Sequence, residues 1–283
     1  MTTTWKKQIL ALGIVGALAA GLPSVQAQGL MDQATGEGLN VAFYNFKPYA
    51  YVDENGELTG TDVDTLKAVL GKLGGQIADA KAIEWGALIP GVKSNRFDVV
   101  AAGMFVTPKR CAEVRFSEPT FGIQQTLIVT KGNPHGVTDY DSIAEMGLTV
   151  AVVSGAAQAG YAEASGVPDD KIMQIPDNPT AIAALRADRA QVYALSVPGS
   201  REVVKGVPEQ DLEMVPPFKI VAGKLAMPHG AFAFRKEDGD FVDAFNVELT
   251  SFIGSPEHLA IFEKHGMEAD ELPSQMTAEL CEG

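Results

Sequence analysis

Apolar positions along this chain follow two different periods, and the switches between them outline its elements. Residues 39–44 (Leu-Asn-Val-Ala-Phe-Tyr) are a short apolar run that predicts a buried strand, with residues 45–49 as the loop at its C-terminal end. β-Formers flank the Asn55-Gly56 pair within residues 51–58, a hairpin pattern. From near Asp62 the apolar positions move to helical spacing at Val63, Leu66, Val69, Leu70 and Leu73, until Gly74-Gly75 stops them. Residues 83–90 read as a strand end running into a short helix, and residues 97–101 as another buried strand. A strand over 124–130 is broken by Lys131-Gly132-Asn133-Pro134. A second unit follows: strand 148–153, helix 155–164, strand 172–175, helix 180–187 and strand 192–195. Residues 231–234 then form a strand, followed by an amphipathic helix over 241–253 and a last helix over 256–265. Strands alternating with helices place the chain in the α/β class, with no solenoid-type repeat.

The N-terminus changes the picture of where this protein works. Lys6 and Lys7 precede an apolar run over residues 9–22, and Val25-Gln26-Ala27 stands before Gln28. That order predicts a cleaved secretory signal peptide over residues 1–27, since the run falls short of the roughly 20 residues a membrane span needs. No cysteine marks the cleavage point for lipid attachment, so the expectation is a soluble periplasmic protein. Loss of the two lysines moves the formal net charge from −14 to −16. No basic stripe remains to neutralise phosphates, which argues against nucleic acid as a partner. His135, His229, His258 and His265 show no ligand spacing with the cysteines, so neither a metal nor another cofactor is expected.

The chemistry concentrates in residues 101–119. Ala101-Ala102-Gly103-Met104-Phe105-Val106-Thr107-Pro108-Lys109-Arg110-Cys111, followed by Phe116-Ser117-Glu118-Pro119, joins a buried strand to a helix start. It delivers a ring, a hydroxyl and a guanidinium to one strand end, where open α/β sheets bind ligands. The run resembles the Gly-Met-x-x-Thr-x-x-Arg…Phe-Ser-x-Pro signature of type II periplasmic solute-binding proteins that feed ABC importers for polar amino acids. With Phe105, Pro108, Cys111 and a second cysteine near the chain end, it looks like the ectoine/hydroxyectoine-binding branch. The resemblance covers nearly the whole mature chain. It implies two lobes around a ligand cleft, each a mostly parallel sheet flanked by helices. Lobe one would comprise residues 28–124 and 232–283, and lobe two residues 125–231. Cys111 and Cys281 both lie in the exported part, where thiols are oxidised, and one disulfide is expected.

Tyr49, Trp85 and Phe105 sit at predicted strand ends of lobe one, and the resemblance makes them an aromatic box around a cation. Read alone, each could equally be core filler. Arg110 is the expected clamp for a carboxylate, because its planar fork makes two parallel hydrogen bonds; the alternative is a surface pair with Glu113 or Glu118. Thr107 either touches ligand or caps the following helix. In lobe two, Ser154, Gly155, Ala156 and Ala157 would let backbone N–H groups approach an anion, and Asn178, Thr180, Tyr193 and Ser196 lie at further strand ends. Asp62, Asp64 and Asp98 are assigned to caps or loop structure.

One departure from the ectoine-binding pattern stands out: Phe46 replaces an acidic residue that would meet the N–H groups of ectoine's amidinium. Two readings follow. Phe46 points away from the cleft, or it faces the solute, and then either another acceptor meets those N–H groups or the solute is a methylated onium zwitterion such as a betaine or a dimethylsulfonio acid, which suits a fourth ring. The expected function is a monomeric binding protein that closes on a small zwitterionic compatible solute, ectoine or hydroxyectoine, with a methylated onium zwitterion or a polar amino acid as the alternative, and hands it to a membrane permease and its ATPase. A sensor subunit would use the same cleft. A dehydratase on this scaffold needs a positioned acid or base, and the expected strand ends offer no clear histidine or paired carboxylates.

Overall fold

The computed structural model describes residues 1–2 and 29–282; the expected signal segment lies outside these apart from its first two residues. Two five-stranded sheets organise the chain. In the first, the order is Ile77–Ala82, Leu39–Phe43, Val99–Val100, Ala233–Phe234 and Arg115–Phe116. The first three strands run parallel, and Ala233–Phe234 is antiparallel to both its neighbours. The second sheet repeats that plan with Ile172–Ile175, Val150–Val153, Val192–Ser196, Gln125–Thr130 and Leu212–Met214. Again three strands are parallel, with the remaining pairings antiparallel. Strands buried on both faces read as continuous apolar runs, which is why Val150–Val153 and Val192–Ser196 are buried at every position.

The chain passes between the sheets twice, and Phe121–Gly122 pairs with His229–Gly230 where it does. Helices cover the sheet faces. Thr61–Lys72 packs against Gly239–Phe252 over the first sheet, burying Leu66, Val69 and Leu70 with Phe241, Phe245 and Leu249. A second apolar cluster runs from Ala42, Leu88 and Val100 of the first unit to Ala151, Val153 and Leu195 of the second.

Several expectations shift. The helix expected over 155–164 opens only at Gln158, because Gly155 adopts φ +80°, a left-handed conformation outside any right-handed helix. The strand expected over 97–101 is two residues long, Val99–Val100. The helix Val197–Lys205 was not read from the sequence, where Pro198 and Gly199 break the apolar period; proline in a first helical turn is compatible with its missing N–H. Cys111 and Cys281 form the expected disulfide, 170 residues apart, tying the helix Thr277–Glu282 to the short helix Pro108–Cys111.

Candidate functional site

All three parallel strands of each sheet end at one cleft. Every residue lining the cavity there lies at, or just beyond, the C-terminal end of one of these six strands. Tyr44, Phe46 and Tyr49 follow Leu39–Phe43; Trp85 follows Ile77–Ala82; Ala102, Gly103 and Phe105 follow Val99–Val100. From the second sheet come Val153, Ala156, Ala157, Gln158, Asn178, Leu195 and Ser196. The enclosed space is about 50 Å³ as measured by the centre of a water-sized sphere, several times what one water requires.

Five rings dominate the wall. Trp85, Tyr44 and Phe46 follow one another edge to face and Tyr49 is tilted against Phe46, with centroids 5.8, 6.3 and 5.9 Å apart, and Phe105 packs in the same apolar cluster as Tyr49. Such tilted contacts suit aromatic quadrupoles and hold the rings as a rigid surface. Tyr44, absent from the sequence-derived site, closes the gap between Phe46 and Trp85. The signal for it was available: it is the last residue of the predicted first strand. Phe46 lines the cavity, so of the two readings of this residue, the one with its ring turned away from the cleft is excluded.

Each polar side chain of this wall holds at least one hydrogen bond, and three of these bonds cross the cleft. Tyr44 Oη donates to Pro176 O at 3.0 Å, Trp85 Nε1 donates to Gly155 O at 3.2 Å, and the hydroxyls of Tyr49 and Ser196 share a hydrogen bond at 2.9 Å. Asn178 Oδ1 accepts from the Tyr193 hydroxyl at 2.5 Å, and Gln158 Nε2 donates to Gln125 Oε1 at 3.2 Å. Burial raises the Tyr44 phenol to about 12 and the Tyr49 phenol further, so both stay protonated. No aspartate, glutamate or histidine lines the cavity.

Arg110 sits beside this cavity, on the wall of a wider recess that shares Ala156 and Ala157 with it. Its guanidinium is buried, lies 5.6 Å from the Trp85 ring centroid, and donates to Phe105 O at 2.8 Å and Gly155 O at 3.1 Å. Both partners are neutral carbonyls. Glu113 pairs instead with Lys93, and Glu118 accepts from the Thr277 N–H, so the surface-pair alternative for Arg110 does not hold. Burial lowers the guanidinium to about 10, which leaves it charged at neutral pH. Thr107 caps the Pro108–Cys111 helix, its Oγ1 accepting from the Arg110 N–H at 3.3 Å, and borders the recess rather than the cavity.

In the second unit, Ala157, Asn178 and Ser196 line the cavity; Gly155 borders the neighbouring recess, Ser154 is exposed, and Thr180 and Tyr193 are not on the wall. The anion cradle expected over 154–157 is partly used up, since the Ser154 N–H goes to Ile175 O and the Ala156 N–H to Val153 O. Asp177 caps its own helix through Thr180 N. Asp62 does not cap one: its Oδ2 accepts from the Gly103 N–H at 2.6 Å from behind the cavity wall. Gly103 itself adopts φ +67°, with the Tyr49 ring 2.6 Å from where a Cβ would stand, so only glycine fits. Asp98 ties Asn40, Gln33 and Arg235 together, and Asp64 pairs with Lys264 and His265. Among the described residues no group of His, Cys, Asp and Glu is arranged to hold a metal.

Residues 39–268 match the model of the bacterial extracellular solute-binding proteins, family 3. The chain belongs to this family. Membership carries with it the binding of a small solute and its delivery to an ABC transporter. A probable amino-acid ABC transporter periplasmic-binding protein of Sinorhizobium fredii is 33% identical over 290 residues, covering 97% of this chain and 95% of that protein. Among solved structures, EhuB in complex with hydroxyectoine superposes with a TM-score of 0.81 at 29% identity, covering 89% of this chain and 97% of that one. An ancestral arginine-binding protein bound to arginine gives 0.70 at 26% identity, covering 80% and 97%. These neighbours bear out the two-lobed periplasmic-binding-protein architecture.

Proposed function

We propose that this protein is the periplasmic binding component of an ABC importer for a zwitterionic compatible solute. Its two lobes, residues 28–124 with 232–283 and residues 125–231, close on a solute whose cationic end is alkylated or delocalised. The observation that carries this reading is the pairing of a five-ring wall free of carboxylates with a buried guanidinium that has only carbonyl partners. Ring faces attract a diffuse cation by about 0.5–2 kcal/mol each. A primary ammonium brings three N–H donors that need acceptors, while the Tyr49 and Ser196 hydroxyls and the Asn178 amide oxygen already hold hydrogen bonds and no carboxylate stands beside them. Arg110 takes the carboxylate, and its depth in the protein makes that charge-assisted contact a strong one.

Within this class, likeness to EhuB supports ectoine or hydroxyectoine. Phe46 in the wall favours a methylated onium zwitterion, because a ring cannot accept the amidinium N–H groups. Proton-transfer chemistry of the dehydratase kind finds no carboxylate or imidazole on the wall to perform it.

The test is calorimetric titration of the chain from residue 28, refolded free of ligand, with ectoine, hydroxyectoine, glycine betaine, a dimethylsulfonio acid and a panel of amino acids. Tight binding of one of the first four is expected. Preference for a primary α-amino acid, or no binding across the panel, overturns the reading.

A further inference from the structure

Tyr44, Tyr49 and Trp85 reach the opposite lobe through hydrogen bonds; Phe46 reaches it through its ring alone. Phe46 projects from the loop after Leu39–Phe43 and ends against Gly199, in the first turn of the helix Val197–Lys205. A Cβ on Gly199 would stand 2.5 Å from Phe46 Cζ and 2.9 Å from its Cε1, closer than carbon atoms approach. Gly199 is buried and its φ is not in the left-handed region, so nothing in the backbone calls for glycine there. Only the ring does. Tyr44 and Tyr49 pack on either side of Phe46, so the ring can yield only toward the cavity on its inner face.

We infer that Gly199 is a positioning residue for solute capture: it is the seat on lobe two that receives Phe46 when the lobes meet, and so lets the ring wall close. The inference rests on the proposed binding of a solute in this cleft. A methyl group at residue 199 leaves two escapes. Either the lobes stop short, which separates Trp85 and Arg110 from the Gly155 carbonyl, or Phe46 tilts into the cavity and takes the room of the solute. Both weaken capture. Neither disturbs a lobe by itself, since alanine is the better helix former.

Gly199→Ala is therefore expected to weaken binding of the best zwitterion by about tenfold or more, the size of a typical overpacking effect. The melting temperature of the ligand-free variant stays level or rises. In a Phe46→Ala background the same substitution costs little, because the methyl group enters the space the ring has left, and this coupling distinguishes seating from a general defect. Spin labels on exposed Lys72 and Asp170 give a second readout: at saturating zwitterion their separation is longer in Gly199→Ala, or unchanged with affinity lost if Phe46 has tilted inward. Equal affinity of wild type and Gly199→Ala overturns the inference, as does an equal loss with and without Phe46. If wild type binds no zwitterion, the underlying reading of the site fails as well.

Discussion

Replacing Arg110 with methionine separates what this side chain does for binding from what it does for stability, and the two effects should have different sizes. Arg110 is 9% exposed, and its guanidinium bonds to carbonyls rather than to a carboxylate. Burial pulls its pKa from 12.5 to about 10, which corresponds to about 3 kcal/mol disfavouring the charge at this depth. Against that stand two hydrogen bonds to carbonyls, each about 1.5–3 kcal/mol for a charged donor. In Arg110→Met both sides of this balance disappear, the methionine fills a similar volume, and the ligand-free protein should melt within a few degrees of wild type. Binding has no such compensation. Two charge-assisted bonds to a solute carboxylate contribute at least about 3 kcal/mol, so affinity for the preferred zwitterion should fall by about a hundredfold or more. Calorimetry with that zwitterion and with an analogue lacking the carboxylate reads both parts: the analogue should bind wild type and variant alike. Zwitterion binding reduced by less than threefold, or a parallel loss for the analogue, refutes the carboxylate assignment.

Three other expectations follow from named contacts. Phe46→Glu should shift the ratio of ectoine to betaine affinity toward ectoine by about tenfold, because a carboxylate supplies the acceptor an amidinium needs; competition calorimetry showing an unchanged ratio would mean Phe46 does not face the bound solute. Asp62 is pushed by burial to about 7, above its unfolded value of 3.8. Its contribution to stability is therefore complete below about pH 4 and is lost as pH rises through about 7, so Asp62→Asn, which keeps an acceptor for the Gly103 N–H, should flatten the melting temperature between those limits. Parallel profiles for variant and wild type would count against it. Removing the disulfide with Cys281→Ser and Cys111→Ser frees a loop of 170 residues in the unfolded chain, about 5 kcal/mol in the loop-entropy treatment, and should lower the melting temperature by about 5–15 °C. A change under 2 °C by calorimetry would show that the bridge contributes little.

The elements near the cleft were legible because their local signals are strong. Leu39–Phe43, Thr61–Lys72 and Ile172–Ile175 each have a single clear period, and Asn55-Gly56 marks its hairpin. The Val197–Lys205 helix escaped because Pro198 and Gly199 interrupt its apolar period at the first turn, and Gly155 hid a left-handed turn inside a helix-like run. In the site, Tyr49, Trp85, Phe105 and Arg110 were marked by their positions at strand ends and in a motif, whereas Tyr44 read as strand core. Asp62 read as a cap because a carboxylate near a helix start usually is one; its partner is Gly103, 41 residues away, and no local pattern encodes that.

By itself the sequence determined the alternation of strands and helices, the aromatic and guanidinium character of the strand ends, and the one pairing open to its two cysteines. These depend on residue type and on spacing along the chain, which short-range sterics and burial translate directly into structure. Only the tertiary structure decided that six strand ends meet at one cavity, that the polar tips of Tyr44, Tyr49 and Trp85 bond across the cleft, and that Phe46 lines the wall with its tip on Gly199. Those are contacts between residues up to about 150 positions apart, set by how two separately wound sheets face each other, and the direction of a side chain at that junction depends on what the other sheet leaves room for.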